Sequence, residues 1–189
     1  MDEVNQDQAQ EALSRLPRGR YLLTAGYGHH RNGMIIDRVS LGADDPPTVI
    51  ISVRKGHSLS PLIRDSARFG VAEIGGTDEM LSRIFRRGTG LQDDDPFLGH
   101  ALVEGPSKID IPIPNRAVSW LACELLRHLD IEADHEVYIG RVIAHGVNRQ
   151  MIETEIAEAA FNGTDNGSSR RKSRRANTAS RTPRGRASA

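Results

Sequence analysis

One segment limits what this chain can fold into more than any other. Thr48-Val49-Ile50-Ile51-Ser52-Val53 is a run of mainly β-branched residues, stiff at χ1 and suited to a pleated surface. Asp44-Asp45-Pro46-Pro47 precedes it and Arg54-Lys55-Gly56-His57 follows it, so turn chemistry stops it at strand length on both sides. Such a run predicts a strand covered on both faces. The rest of the chain must supply its neighbours.

It supplies them mostly as further short strands. Tyr21 to Ala25, Met34 to about Leu41, Phe69 to Ile74, Ala101 to Val103, Lys108 to Ile113, Ser119 to Leu126 and Glu136 to Ala144 have strand length and β-like composition. Within the loop from Gly26 to Gly33, Asn32-Gly33 is a hairpin-turn signal, because both residues tolerate positive φ. Helical spacing is rarer. Ala9, Ala12, Leu13 and Leu16 predict a helix over 7–16, stopped by Pro17. Ser58 or Ser60 can cap a second, with Pro61 in its first turn, through about Ser66. Thr77 or Asp78 can cap a third from Glu79 to Arg86, and residues 150–161 carry a weak helical period. Strands outnumber helices and most connections are short, so the expected class is mainly β: an antiparallel barrel with a few peripheral helices.

Charge divides the chain. Its 25 basic and 25 acidic residues cancel, but every acidic residue lies between Asp2 and Asp165, while eight basic residues, from Arg170 to Arg186, lie beyond them. Residues 1–165 thus hold 17 basic against 25 acidic groups, a charge of −8, and residues 166–189 carry +8. The first part suits one domain. The second, rich in Arg, Ser, Gly, Thr and Asn, reads as a disordered basic tail.

Several classes fall away. The single cysteine, Cys123, excludes an internal disulfide framework and favours a reducing compartment. The N-terminus is acidic and polar, unlike a secretory signal. No apolar run nears the roughly 20 residues that span a bilayer, so the expected setting is the cytoplasm, without a membrane. Eight aromatics (Phe 4, Tyr 3, Trp 1) are too few for base-stacking platforms. His29-His30 has no partner at ligand spacing, and Asp93-Asp94-Asp95 lacks the Gly and Glu of a calcium loop, so no metal is expected. No Gly-rich dinucleotide fingerprint leads from a strand into a helix.

Gly33-Met34, Asp45-Pro46-Pro47, Val53-Arg54-Lys55-Gly56, Leu62-Ile63-Arg64-Asp65-Ser66 and Arg68-Phe69 together resemble the flavin-reductase-like family of FMN-binding split barrels. Asp134-His135-Glu136-Val137-Tyr138-Ile139-Gly140-Arg141-Val142 resembles that family's closing strand. Leu121 to Leu125 and Asp95-Pro96-Phe97 are similar to two further segments. The resemblance covers about residues 12–147. It implies a six-stranded antiparallel barrel of Greek-key type, a homodimer with FMN at the interface, NAD(P)H as co-substrate, and an electron acceptor that is free flavin or a partner enzyme.

The resemblance also directs attention to particular residues. In that family the strand after Gly33-Met34 meets the flavin, so the resemblance implies contacts from Met34, Ile35, Ile36, Asp37, Arg38 and Ser40. Here the chain departs from the family: the usual Thr-Ala-Ser string falls on Ile35-Ile36-Asp37. Two like charges about 4 Å apart repel by roughly 4 kcal/mol at an effective dielectric near 20, so Asp37 opposes a phosphate unless Arg38 compensates or the phosphate sits elsewhere. The end of the central strand and the helix start after it, Ser52, Val53, Arg54, Lys55, His57 and Ser58, form a second contact region and a credible anion site. The plainer alternative there is a solvated strand end with a helix cap. His135 is a candidate for the nicotinamide or substrate pocket, or a structural residue. Cys123 reads as a small buried hydrophobe.

The leading expectation is an FMN-binding oxidoreductase of the NAD(P)H-dependent flavin reductase type. The alternative is a split barrel without redox activity, serving as a ligand-binding or interaction module. For the tail, weak nonspecific polyanion contact stands beside a purely solubilising role.

Overall fold

The computed structural model describes residues 5–76, 78–86, 95–103, 110–154 and 156–157. Residues up to Arg149 form one unit. It opens with α1 (Gln6–Ser14), where the Asn5 side chain accepts the N–H groups of Asp7 and Gln8. β1 (Tyr21–Tyr27), β2 (His30–Ile36), β3 (Val39–Asp44) and β4 (Pro47–Arg54) follow. Then come α2 (Leu59–Ser66), β5 (Arg68–Glu73), α3 (Glu79–Arg86), β6 (Ser119–Asp130) and β7 (His135–Val147). All seven strands belong to one antiparallel sheet of order β2-β1-β5-β6-β7-β4-β3. The mainly β class holds, with seven strands among the described residues in place of six.

Because successive strand side chains point to opposite faces, the sheet feeds two cores. Leu23, Val71 and Cys123 enter the first with Val49, Ile51, Val53, Phe69 and Tyr138, and α2 adds Leu59 and Ile63. Their neighbours Leu22, Ala72 and Ala122 enter the second, with Leu81 and Phe85 of α3, Phe97, Ile111 and Ile113. The Thr48–Val53 run is thereby covered as expected: Val49, Ile51 and Val53 are buried, and Ile50 and Ser52 half-buried.

Two local expectations are corrected. The β1–β2 turn is Gly28-His29, since Tyr27 pairs with His30. Gly28 takes φ +60 at the first turn position, which an L-residue resists. Asn32-Gly33 lies inside β2 instead, because its side-chain room is needed for packing: a Cβ on Gly33 would stand 3.0 Å from the Phe85 ring and 3.1 Å from Leu22. The segment 110–113 is not a strand; its neighbourhood offers one isolated bridge, Leu102 to Pro114, while Ile111 and Ile113 fill the second core. Residues 108–109 lie outside the described residues.

The hairpin of β6 and β7 runs longer than its apolar pattern suggested, to Asp130 and from His135. Asp78 caps α3, accepting the Leu81 N–H at 3.1 Å. From Gln150 a second unit begins, helical over residues 150–154 and 156–157. The basic tail lies outside the described residues.

Candidate functional site

Between Pro17 and the β2–β3 junction, a long-range ion pair sets the local geometry. Arg18 donates from Nη1 to Asp37 Oδ2 at 3.0 Å, while Arg38 Nε stands 3.9 Å from the other Asp37 oxygen. Arg38, the expected compensator, is thus the weaker one, and Arg18 was not singled out in the sequence. Nineteen positions separate Arg18 from Asp37, a spacing that no local pattern marks.

These residues line a cleft of about 540 Å³ together with Gln10, Leu13, Leu16 and Pro17 from the N-terminal segment, Val39, Ser40, Ile50 and Ser52 from β3 and β4, and Asp134. A backbone bond from Ser52 N to the Arg38 carbonyl, 3.3 Å, ties the β2–β3 junction to β4. The volume lies within the range of small-molecule sites. Four of the expected contact residues, Asp37, Arg38, Ser40 and Ser52, come together here.

The other expected residues point elsewhere. Ile36 and Val53 are buried in the first core, Met34 packs against it, and Ile35 packs against the second core. Their side chains belong to the interior. β2 is an edge strand of the sheet, however, so its outward backbone groups are not used in strand pairing. Lys55 is engaged: its Nζ lies 2.6 Å from Asp130 Oδ1, and its N–H donates to the Asp134 carbonyl. Arg54 is exposed, opposite His135 in the β4–β7 register.

At the start of α2, Ser58 occupies the cap position without capping, because its hydroxyl accepts from Asn32 Nδ2 at 2.8 Å. His57 takes over: its Nδ1 accepts the Leu59 N–H at 3.1 Å. Burial holds the His57 pKa below 6.5, which keeps Nδ1 free to accept. His135 Nδ1 lies 2.8 Å from Asp134 Oδ1, and that bond holds the Asp134 carboxyl below its ordinary value, helped by the charges of His135 and Arg38. Cys123 is fully buried, and burial pushes its thiol up to about 12, so it behaves as a hydrophobe.

A second cleft, about 590 Å³, is bounded by Gly26 to Gly28, Arg31, Asp65, Ser66, Arg68 and residues 110–112. None of the expected contact residues lines it. Among the described residues, no group of three or more His, Cys, Asp or Glu is placed to hold a metal, and no helix is long and apolar enough to cross a membrane.

The sequence profile of the flavin reductase like domain family matches residues 13–161. The chain belongs to that family. It is 29% identical over 115 residues to the NADH-dependent flavin reductase StyB of Pseudomonas fluorescens, covering 61% of this chain and 62% of that protein. The match thus spans less than two thirds of that relative. Among solved structures, the styrene monooxygenase flavin reductase of Pseudomonas putida superposes with a TM-score of 0.62 at 26% identity, over 74% of this chain and 86% of that one. The NADH:FAD oxidoreductase of Streptomyces globisporus shares the fold, with a TM-score of 0.67 at 23% identity, over 79% and 87% of the two chains.

Proposed function

We propose that this chain is an NAD(P)H:flavin oxidoreductase whose flavin occupies the cleft between α1 and the β2–β3 junction. The observation that carries the placement is the convergence of Asp37, Arg38, Ser40 and Ser52 on one cleft. Its lining suits a flavin: Leu13, Leu16, Val39 and Ile50 offer apolar surface for a ring system, while the two serines and the charged groups suit a polyol chain. Bound flavin, FMN in the leading reading, would supply the atom that accepts hydride from the nicotinamide. The protein orients the two partners and limits access of water. Ser40 and Ser52 return hydroxyls to a site where Ile35-Ile36-Asp37 removed them, which supports flavin binding there, and the likeness to an NADH-dependent flavin reductase supports the redox reading.

Asp134 lines the cleft, and His135, bonded to it at 2.8 Å, is read as positioning the nicotinamide. The chain is read as a cytoplasmic homodimer with flavin at its interface, handing reduced flavin to free flavin or to a partner enzyme. In support, one neighbour is named as the flavin reductase of a styrene monooxygenase. Residues 1–165 are taken as the flavin-binding domain and 166–189 as a tail with weak polyanion affinity. Unchanged retention on heparin after deleting 166–189 would remove that affinity from the account.

The test is optical. Protein mixed with FMN should quench flavin fluorescence, and NADH or NADPH should bleach the flavin band anaerobically. A protein that does neither would return the reading to a ligand-binding or interaction module.

A further inference from the structure

The cleft holds two guanidinium groups and two carboxylates, from Arg18, Arg38, Asp37 and Asp134. Arg18 is committed to Asp37 at 3.0 Å. Arg38 stands 3.9 Å from Asp37, and its charge helps to hold the Asp134 carboxyl below its ordinary value. The formal charge of the lining is therefore zero, and both its cations already face acids. A phosphate entering here would have to draw Arg18 away from Asp37, leaving that carboxylate beside a dianion. Hydroxyl groups face no such cost. A carboxylate accepts from them, and Ser40 and Ser52 can donate or accept.

From this balance we infer that the Arg18–Asp37 pair sets the ligand preference of the cleft by giving no advantage to a flavin's terminal phosphate, while Ser40 and Ser52 can meet the hydroxylated ribityl chain. The inference rests on the flavin site proposed above. It makes riboflavin as good a ligand as FMN. Asp37 is then the element of selectivity, acting through its charge. Arg54 and Lys55 do not reverse this, because neither lines the cleft and Lys55 is paired with Asp130.

The experiment compares riboflavin with FMN by fluorescence titration of the wild-type protein, Asp37→Asn, Asp37→Ser and Arg18→Gln. Wild-type protein should bind the two flavins within about threefold of each other. Both Asp37 variants should tighten FMN by roughly tenfold, the scale of one charge pair in a half-exposed site, with riboflavin changed less than about twofold by loss of a single exposed acceptor. Arg18→Gln should weaken FMN selectively, since it leaves Asp37 less compensated. Asp37 and Arg18 are each nearly half-exposed, so the variants should fold. A wild-type preference for FMN of tenfold or more, or equal shifts for both flavins on replacing Asp37, would overturn the inference while leaving the flavin site standing. Binding of neither flavin by the wild-type protein would overturn the proposed function and this inference with it.

Discussion

The imidazole of His57 accepts the Leu59 N–H through Nδ1 at 3.1 Å and so caps the helix that follows the central strand. The hydroxyl one residue later is held instead by Asn32 of β2. Together these bonds fix the start of α2 against β2, the strand that leads into the cleft. α2 then sets Leu59 and Ile63 in the first core.

Replacing His57 with Ala should cost about 1 kcal/mol of stability, the scale of a lost cap, measured by urea denaturation. The cost should depend on pH. Burial lowers the His57 pKa from 6.5, so the unfolded chain binds the proton more readily, and the stabilisation is complete above 6.5 and lost as pH falls through the folded value. The gap between wild type and His57→Ala should therefore narrow from about pH 8 to about pH 5. A gap that widens on acidification would contradict the capping role.

Tyr138 donates its O–H to Glu136 Oε2 at 2.5 Å, and His128 Nε2 stands 3.0 Å from the same oxygen while its ring stacks on Tyr138 at 4.6 Å. The phenol, buried and facing a carboxylate, is pushed up to about 12. Its hydrogen bond is the main reason the Glu136 pKa lies below 4.5. Tyr138→Phe should destabilise by about 1–3 kcal/mol near neutral pH, as for a buried acceptor losing its donor. Because a depressed carboxyl contributes stability above its unfolded value and loses it as pH falls through the folded one, the difference should shrink below about pH 4. Acid titrations of wild type and variant with the same slope would refute it.

Gly140 lies on β7 where Phe69 crosses it. A Cβ there would come within 2.6 Å of Phe69 Cε1 and 2.9 Å of the Cys123 Cβ, and both side chains are fully buried. Gly140→Ala should therefore lower stability by about 1–3 kcal/mol through overpacking, seen as a lower Tm. An unchanged or raised Tm would show that the core can yield at this point.

Much of the frame was legible because it rests on local chemistry. Thr48–Val53 became β4, Phe69 onward became β5, and Asp78 capped α3, as composition and turn residues indicated. What escaped was decided by contacts distant in sequence. Asn32-Gly33 has the residues of a turn, but Ser58 claims the Asn32 amide and Phe85 occupies the space beside Gly33. Ser58 has the residue type of a cap, yet that same bond leaves the task to His57. Around the cleft, resemblance singled out Asp37 and Ser52, but nothing in the local pattern named Arg18. Lys55 looked free until the β6–β7 hairpin brought Asp130 to it.

The most direct measurement of the central claim is steady-state oxidation of NADH and of NADPH by the purified full-length chain, with and without added riboflavin or FMN. The account predicts nucleotide oxidation that requires flavin and saturates with its concentration, at similar levels for the two flavins. A protein that binds flavin but oxidises neither nucleotide at any flavin concentration would contradict it.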